Sequence, residues 1–255
     1  MSTRHYKFQG NVIEGITIDF WNSIADDNNY ELRTQKRAEI THKWLISHDY
    51  HVKTEEIAAL FDSFTTDWYQ QWRKTQFTLG PLDCVAQILK GLKIKLRPSL
   101  VEELATIIEE VVLDFPPKLI DGVVDAIARL HDDLLLGIIC DTAISGPHSI
   151  NALLKDWGIS RFIDVRAYSL DVGVSKPNSV IYRNALDQMV VDPNRAIHFG
   201  DLEETDVKGA KDFGMFAVRF DGCKGDRERK KRTRADMIVE SWEEFMSALT
   251  VSDHV

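Results

Sequence analysis

An acidic residue ends the first apolar segment of the chain. Residues 12–19 read Val-Ile-Glu-Gly-Ile-Thr-Ile-Asp, a short run rich in β-branched side chains that closes at Asp19. This pattern is typical of a strand buried in a parallel sheet. The next comparable segment, residues 134–140, begins more than a hundred residues later. The two segments therefore predict a sheet whose first connection contains a long insertion.

Strands and helices alternate in the second half of the chain. Further strands are predicted at residues 162–165, 196–199, 215–220 and 237–239. Apolar residues recur at helical spacing in residues 149–157, 179–189 and 206–213. This alternation predicts βαβ units and an α/β fold with a mostly parallel, doubly wound sheet.

Residues 26–117 interrupt this alternation, because they contain no convincing strand. Amphipathic helices are predicted at residues 31–47, 53–72, 81–92 and 99–113, and a further helix at 121–130 leads into the second strand. A helical excursion of this length indicates an inserted domain rather than a loop. The sequence therefore predicts a core formed by residues 1–25 and 118–255, and an all-helical domain formed by residues 26–117.

The composition is that of an ordinary globular protein with an excess of acids. The net charge of −9 gives no reason to expect a nucleic-acid partner, and no apolar stretch reaches the length of a membrane span. Cys84, Cys140 and Cys223 fit no metal-ligand or redox spacing, so we expect a reducing, cytoplasmic environment. The basic run at residues 224–234 is interpreted as a solvated loop rather than as a contact with a phosphate-rich partner. The sequence leaves the oligomeric state open.

Polar residues follow several of the predicted strands. They are Asp19, the run Cys140-Asp141-Thr142, and Gly200-Asp201, with Lys176 and Asp206 in nearby connections. In open parallel sheets, ligands bind beyond the carboxyl ends of the strands. Several carboxylates at one edge repel each other unless a cation lies among them, and hard oxygen ligands suit Mg²⁺. A lysine and a hydroxyl or backbone amide could hold the remaining oxygens of a phosphate.

Four segments, in order, resemble the motifs of the haloacid dehalogenase superfamily. They are Ile-Thr-Ile-Asp-Phe-Trp-Asn-Ser at 16–23, Leu-Gly-Ile-Ile-Cys-Asp-Thr at 136–142, Ser-Lys-Pro at 175–177, and His-Phe-Gly-Asp-Leu-Glu-Glu-Thr-Asp-Val-Lys-Gly-Ala-Lys at 198–211. The last segment is specific on its own, and the others gain weight from their order and spacing. The helical insertion is similar to the type 1 cap of that family. The resemblance therefore covers the chain from its first strand onward.

The resemblance implies a hydrolase with a Rossmann-like core, a helical cap and a small phosphorylated or otherwise anionic metabolite as substrate. Asp19 would be the nucleophile and would form an aspartyl–phosphoryl intermediate that water then hydrolyses. Mg²⁺ would bind Asp19, Asp201 and the backbone carbonyl of Trp21, and Asp206 would support the metal site from its edge. Lys176 would pair with Asp19 and with the transferring phosphoryl group.

The position of Trp21 departs from the pattern of the family's phosphatases. Those enzymes place a second Asp there, whereas indole has no acid–base function near neutral pH. General acid–base help is worth about 10²–10⁴ in rate. Ordinary phosphate esters are therefore disfavoured, unless the cap, Glu203 or Glu204 donates the proton. Trp21 is interpreted as an apolar plug in preference to a substrate-shaping residue.

The second motif also departs from the pattern. Cys140 stands where a Ser or Thr normally binds phosphate, and Thr142, two residues further on, could substitute for it. Asp141 beside an incoming phosphate would be repulsive unless its side chain points away. The candidate substrate contacts are therefore Trp21, Asp141, Thr142 and Lys176.

Each candidate also has a plain structural interpretation. Asp19 and Asp201 could belong to turns that follow strands, and Lys176 could be a solvated turn lysine. Asp206 also fits the N-cap of a helix, a role that is compatible with support of a metal. Thr142 fits a helix N-cap as well as it fits a phosphate ligand.

Three classes of function remain open from the residues. The first is Mg²⁺-dependent hydrolysis of a phosphoryl ester or anhydride, which the retained acids Asp201 and Asp206 favour. The second is metal-independent hydrolysis of a carbon–halogen bond, with which Trp21 is compatible because the family's dehalogenases carry an aromatic residue there; a phosphonatase-like reaction would need a lysine from the cap. The third is a binding domain with impaired catalysis.

Overall fold

The computed structural model describes residues 4–224 and 232–253 of the 255-residue chain. Most of the basic run at 224–234 lies outside these residues. The strands are β1 (Arg4–Phe8), β2 (Asn11–Ile13), β3 (Gly15–Ile18), β4 (Ala25–Asp26), β5 (Lys118–Leu119), β6 (Leu135–Cys140), β7 (Val165–Tyr168), β8 (Ala196–Gly200), β9 (Phe216–Phe220), β10 (Met237–Val239) and β11 (Thr250–Asp253). The α-helices are α1 (Tyr30–Ser47), α2 (Thr54–Thr75), α3 (Pro81–Gly91), α4 (Pro98–Asp114), α5 (Val123–His131), α6 (Pro147–Asp156), α7 (Ser169–Val172), α8 (Ser179–Met189), α9 (Lys208–Phe213) and α10 (Trp242–Ala248).

The described chain forms two compact units. One contains the described residues of Met1–Asp27, Lys118–Asp141 and Leu154–Val255, and the other contains Asn28–Pro117 and Thr142–Leu153. Among the described residues, no helix combines the length and the apolar character that spanning a membrane requires.

Six parallel strands form the main sheet of the first unit, in the order β10-β9-β8-β3-β6-β7. Strands β3, β6 and β8 are buried almost throughout, which explains their nearly continuous apolar sequences. Thr17 of β3 lies opposite Gly137 of β6 on one side and His198 of β8 on the other. The predicted α/β class with a parallel sheet is confirmed. Because the strands are parallel, their carboxyl ends share one edge of the sheet.

The first predicted strand, residues 12–19, is divided between two sheets. Residues Asn11–Ile13 pair with β1 in a three-stranded antiparallel sheet of order β11-β1-β2, whereas Gly15–Ile18 belong to the parallel sheet. The backbone of Glu14 bonds to Arg195 and to Leu135, so the chain changes sheets at this residue. A single continuous strand was therefore the wrong prediction.

Two other predicted elements differ from the structure. Residues 162–165 were predicted as a strand, but Ser160–Phe162 form a 3₁₀ turn and the strand begins at Val165, where pairing with β6 begins. The helix predicted at 206–213 begins as a π-helical turn, Glu203–Val207, and continues as α9. In both places the apolar pattern is present, but the backbone pairing that decides the boundary comes from distant residues.

The second unit buries an apolar cluster among helices α1 to α4, the helices predicted within residues 26–117. Its largest members include Trp44, Phe61 and Phe64, all at most 9% exposed. Residues 142–153 also belong to this unit, although the predicted core, 118–255, contains them. One reason is that Ile144 packs into the same apolar cluster, whose other buried members lie between Ala38 and Ile108.

Hydrogen bonds tie the 142–153 segment to helices of the second unit. The buried guanidinium of Arg37 donates to the carbonyl of Ile108 at 3.0 Å and to Oγ of Ser145 at 2.9 Å. Burial lowers the pKa of Arg37 to about 10, so the guanidinium remains charged at neutral pH. Ser149 donates through its hydroxyl to the backbone carbonyl of Glu109 at 3.1 Å. These polar contacts fix the segment that follows strand β6.

An aromatic cluster closes one face of the parallel sheet. The ring of Phe199 in β8 stacks on Trp242 of α10 at 4.4 Å between centroids, and it contacts Phe220 and Phe245 at 5.4 and 4.9 Å. Trp242 is fully buried, and its indole nitrogen donates to the carbonyl of Ser23 at 2.9 Å. Trp242 therefore joins the last helix both to the sheet and to the turn after β3.

We predict that Trp242→Ala lowers the free energy of unfolding by about 3–5 kcal/mol, because it removes a fully buried ring and leaves a cavity. Trp242→Phe keeps most of the ring but leaves the Ser23 carbonyl without its donor, which costs about 1–3 kcal/mol. Urea unfolding followed by circular dichroism measures both losses. Equal losses in the two variants would show that the indole hydrogen bond, not the ring packing, carries the stabilisation.

Candidate active site

Four neighbouring strands deliver the candidate residues to one edge of the parallel sheet. Asp19 follows β3 directly and Asp201 follows β8 directly, and these strands are adjacent. The amide of Asp19 donates to the carbonyl of Phe199 at 2.8 Å, which extends the pairing of the two strands to the acid itself. Cys140 ends β6 on the other side of β3, and Lys176 lies beyond β7 and α7. The expected convergence at the carboxyl edge is therefore present.

Three buried carboxylates meet at this edge. Oxygen atoms of Asp19, Asp201 and Asp206 all lie within 4.8 Å of one another. The three residues are only 5%, 6% and 2% exposed. Such a group of oxygen donors is small enough to surround a single cation. The turn interpretation of Asp19 and Asp201 does not explain why both acids are buried together.

Lys176 lies inside the acid cluster rather than in solvent. Its ammonium nitrogen, Nζ, lies 2.5 Å from Oδ1 of Asp19 and 2.7 Å from Oδ1 of Asp206. A third hydrogen bond, to the carbonyl of Ile139, measures 3.1 Å and uses the last donor position of the amine. The side chain is 2% exposed. The interpretation of Lys176 as a solvated turn residue is therefore wrong.

Burial and mutual charge set the pKa values of the cluster. Burial raises the pKa of Asp19 to about 7, with a further rise from Asp206, although Lys176 opposes the shift. Burial also raises the pKa of Asp201 well above its usual range, and the charges of Asp206 and Asp19 add to the effect. Burial lowers the pKa of Lys176, but the carboxylates of Asp19 and Asp206 outweigh it and raise the pKa well above the usual value. The amine is therefore a permanent cation.

Asp206 is held by protein donors on both of its oxygens. Oδ1 accepts from Lys176 and lies 3.0 Å from Nε2 of His198, and Oδ2 accepts the backbone amide of Leu202 at 2.9 Å. Burial raises the pKa of Asp206, but the charge of Lys176 and the bond to His198 outweigh it and lower the pKa below its usual value. Asp206 lies in the π-helical turn before α9, whose N-cap is Val207, so the N-cap interpretation of Asp206 is wrong.

A polar chain behind Asp206 was not predicted from the sequence. Nδ1 of His198 lies 2.8 Å from Oγ1 of Thr17, and its Nε2 faces Asp206. Thr17 and His198 are directly opposed on strands β3 and β8, and both are buried. A signal was available, since each is the single polar residue inside an otherwise apolar strand. Buried polar residues in such positions need a hydrogen-bonding partner.

The turn after Asp19 carries Trp21. The carbonyl of Phe20 accepts the amides of Ile24 and Ala25, both at 3.0 Å, and Asn22 adopts a left-handed conformation with φ of 54°. The half-buried ring of Trp21 packs edge-on against Phe20 at 4.9 Å between centroids. This packing agrees with an apolar role for the indole.

The second motif presents the thiol of Cys140 where the resemblance leads one to expect a hydroxyl. Cys140 is fully buried, and burial together with the charge of Asp19 raises the pKa of its thiol well above the usual value, so the thiol stays protonated. Oδ1 of Asp141 accepts the backbone amide of Lys176 at 2.9 Å. Asp141 thus braces the loop that carries the lysine.

Thr142 belongs to the second unit and is fully buried. Its interpretation as an N-cap is wrong, because the next helix, α6, begins at Pro147. The interpretation of Thr142 as a phosphate ligand stays a prediction.

Glu203, one of the alternative proton donors, is already engaged. Its carboxylate accepts from the hydroxyl of Thr233 at 2.6 Å, from the backbone amide of Arg234 at 2.8 Å and from the guanidinium of Arg219 at 3.4 Å. These contacts anchor the last two residues of the basic run to the turn that follows Asp201. A carboxylate held in this way serves as a structural anchor.

The comparison with protein families gives one match that covers most of the chain. Residues 13–214 match the model of the haloacid dehalogenase-like hydrolases. This range includes all four residues of the cluster.

Curated and structural relatives agree with that family. The glyceraldehyde 3-phosphate phosphatase of Methanopyrus kandleri is 37% identical over 73 residues, which cover 26% of this chain and 31% of the relative. The chain thus spans about a third of the length of the curated relatives it matches. Two solved structures share the fold with TM-scores of 0.65: a phosphatase of Thermococcus onnurineus at 21% identity and a 2-haloacid dehalogenase of Pseudomonas syringae pv. Tomato at 18%. Each alignment covers 92% of this chain and 97% of the other.

We predict that Gly200→Ala destabilises the protein by about 1–3 kcal/mol, because the site is fully packed. A Cβ at Gly200 would lie 2.4 Å from Cγ of Asp206, a side chain whose oxygens are both bonded. Gly15→Ala is the matched control on the neighbouring strand, where the nearest atom to the added Cβ is the flexible end of Met189 at 2.7 Å and the next is Cγ2 of Val191 at 3.3 Å. Thermal and urea unfolding of both variants test this difference. A loss in Gly200→Ala no larger than that in Gly15→Ala would contradict the close packing around Asp206.

Proposed function

Because the chain belongs to the haloacid dehalogenase-like hydrolases, we propose that it hydrolyses the phosphoryl ester or anhydride of a small metabolite, with Asp19 as nucleophile and Mg²⁺ as cofactor. The observation that carries this proposal is the meeting of Asp19, Asp201 and Asp206 around the ammonium of Lys176. The partial match to a glyceraldehyde 3-phosphate phosphatase supports the phosphoryl substrate.

The donor set fits Mg²⁺ in number, charge and chemistry. Three buried acids share one amine, so ionising all three would leave an excess of negative charge for which a divalent cation is the natural complement. Asp19 and Asp201 are the ligands in this proposal, together with the backbone carbonyl of Trp21. Asp206 acts from the edge, since both of its oxygens are held by protein donors. When bound, the metal would supply positive charge to the oxygens of the phosphoryl group.

Asp19 performs the chemical step in two stages. In the first, a carboxylate oxygen forms a bond to phosphorus while the bond from phosphorus to the leaving oxygen breaks. In the second, water attacks the phosphorus of the aspartyl phosphate and the bond from phosphorus to the Asp19 oxygen breaks, which restores the carboxylate and releases inorganic phosphate, while the proton of the water passes to the phosphate or to solvent. The backbone bond of Asp19 to the neighbouring strand fixes the position of the attacking group.

Lys176 neutralises charge and aligns the nucleophile. Its ammonium contacts Asp19 directly and can serve the equatorial oxygens of the phosphoryl group, on which a metaphosphate-like transition state spreads its charge. Asp206 positions this amine through a direct hydrogen bond, and His198 in turn holds Asp206. Thr17 completes the chain by holding the imidazole.

Trp21 narrows the class of leaving group in this proposal. The indole cannot transfer a proton, and the neighbouring candidate Glu203 is bonded to Arg219, Thr233 and Arg234. Leaving groups that depart as stable anions, as in acyl phosphates and phosphoanhydrides, need no such transfer. We therefore place these anhydrides ahead of alkyl phosphate esters.

Carbon–halogen hydrolysis is the second candidate, and the aromatic residue at position 21 is the observation that favours it. The fold likeness to a 2-haloacid dehalogenase is compatible with either reaction. The buried acids Asp201 and Asp206 favour the phosphoryl reaction, because a displacement of halide needs no metal site.

We predict that the protein hydrolyses p-nitrophenyl phosphate only with Mg²⁺, and that Asp19→Asn lowers kcat by at least about 10³-fold, because the amide is a poor nucleophile. The assay follows release of p-nitrophenolate with Mg²⁺ and with EDTA. Asp125→Asn, an exposed site on α5, is the matched control and should keep the wild-type rate. Halide release from a 2-haloacid in EDTA, with no phosphate release under any condition, would replace this function with the second candidate.

We predict that Trp21→Asp raises kcat/KM for unactivated alkyl phosphates by at least about 10-fold, because it restores a proton donor near the leaving oxygen. Trp21→Phe controls for the removal of the indole and should give no gain. Turnover of p-nitrophenyl phosphate, whose leaving group needs no proton, should change little in either variant. An equal gain in both variants would show that the indole blocks the substrate, and the missing acid would then not explain the selectivity.

A further inference from the structure

A groove on the second unit lies between the end of α3 and the first turn of α4. It encloses about 590 Å³. Its apolar surface is formed by Leu89, Ile94, Leu96 and Val101, of which Leu89 is buried and the other three are half-buried. A groove of this size can hold a few side chains of a bound segment.

The rim of the groove is basic. Lys90, Lys93 and Lys95 line it and are exposed to solvent. Within the described residues, no acidic side chain lies within the ion-pair distance of 4.0 Å from any of the three ammonium groups, whereas Lys36, Lys208 and other lysines have such partners. The protein as a whole carries a net charge of −9. The rim is therefore a local positive patch on an acidic molecule.

The sequence of the connection produces this arrangement. From residue 92 to residue 97, half-buried apolar residues alternate with exposed basic residues, in the order Leu-Lys-Ile-Lys-Leu-Arg. The amide of Ile94 bonds back to the carbonyl of Leu89, and Lys93 takes a left-handed conformation with φ of 58°. Residues 94–97 belong to no helix or strand, and Arg97 is extended just before α4 begins. The alternation points the apolar side chains inward and the charges outward.

We propose that this groove, which we name the 86–101 groove, binds a short acidic segment of a partner protein in which carboxylates alternate with apolar side chains. The apolar side chains of the segment would enter the concave surface, and its carboxylates would pair with Lys90, Lys93 and Lys95. Complementary charge speeds and orients such encounters, while the apolar contacts hold the bound state. This inference concerns the second unit alone and does not depend on the proposed function.

The shape of the groove favours a peptide segment over a membrane surface. A bilayer is a flat surface that recruits proteins through apolar side chains projecting outward. Here Ile94, Leu96 and Val101 are half-buried, and the exposed lining consists of the three lysines and the small side chain of Ala86. An extended chain can reach the recessed residues, because every second side chain points to the same face.

Fluorescence anisotropy of a labelled peptide of alternating glutamate and leucine, titrated with the full-length protein, tests the proposal. We expect saturable binding that weakens with added salt, since exposed charges are screened over about 10 Å at 0.1 M ionic strength. The triple variant Lys90→Glu, Lys93→Glu, Lys95→Glu should weaken binding by at least about 10-fold, since three attractive charges become repulsive.

The matched control is the triple variant Lys43→Glu, Lys53→Glu, Lys74→Glu. This variant has the same net charge as the first triple variant. Its three lysines are exposed on the same unit and do not line the groove, so it should bind the peptide like the wild type. A second peptide with serine in place of leucine should bind at least about 10-fold more weakly, because it lacks the apolar contacts. Circular dichroism melting confirms that both protein variants are folded.

Four binding results would overturn the proposal. They are the absence of binding to wild-type protein, equal weakening in both triple variants, equal affinity for the serine peptide, and lysine-dependent binding to phosphatidylserine vesicles without binding to the peptide. The last result would assign the groove to a lipid surface. Lysine-dependent dimerisation in sedimentation, with no peptide binding, would assign it to a second copy of the chain and would equally reject the proposal.

Discussion

The ammonium of Lys176 is the interaction on which the site depends. Burying a carboxylate without a partner costs several kcal/mol, and burying three together adds their repulsion. Lys176 answers part of this cost through contacts at 2.5 Å with Asp19 and 2.7 Å with Asp206. One amine cannot balance three acids, however, and Asp201 receives no share of its hydrogen bonds. The raised pKa values of Asp19 and Asp201 reflect this imbalance, and it is the physical basis for proposing a divalent cation there.

The order of the strands explains how residues far apart in the chain reach this lysine. Strand β3 lies between β8 and β6. Asp19 is therefore flanked by the strand that leads to Asp201 and by the strand that ends at Cys140. Register then aligns the interior of the same strands, where Thr17 faces His198. The parallel sheet thus fixes both the reacting edge and the polar chain behind it. A Cβ at Gly200 would lie 2.4 Å from Cγ of Asp206. A side chain there would therefore displace Asp206 and disturb both.

The sequence predicted what local patterns encode and missed what distant contacts decide. An acid at the end of an apolar strand is a local signal, and it identified Asp19 and Asp201 together with the parallel sheet. The split of residues 12–19 between two sheets depends on β1 and β11, which lie at opposite ends of the described chain. The membership of residues 142–153 depends on the contacts of Arg37 with Ser145. Neither dependence leaves a local pattern in the sequence. The polar chain behind Asp206 did leave one, because Thr17 is a polar residue inside an apolar strand.

The position of Trp21 links this geometry to selectivity. In the proposed reaction, the nucleophile, the lysine and the acids treat all phosphoryl groups alike, because they act on oxygens common to every substrate. Discrimination must then come from the leaving group. Without a proton donor, formation of the aspartyl phosphate slows by about 10²–10⁴ for an alkoxide leaving group, whereas a carboxylate or phosphate leaving group needs no proton in that step. The indole packs against Phe20, and Glu203 is bonded to Arg219 and Thr233, so the proposed preference for anhydrides over esters rests on these two positions.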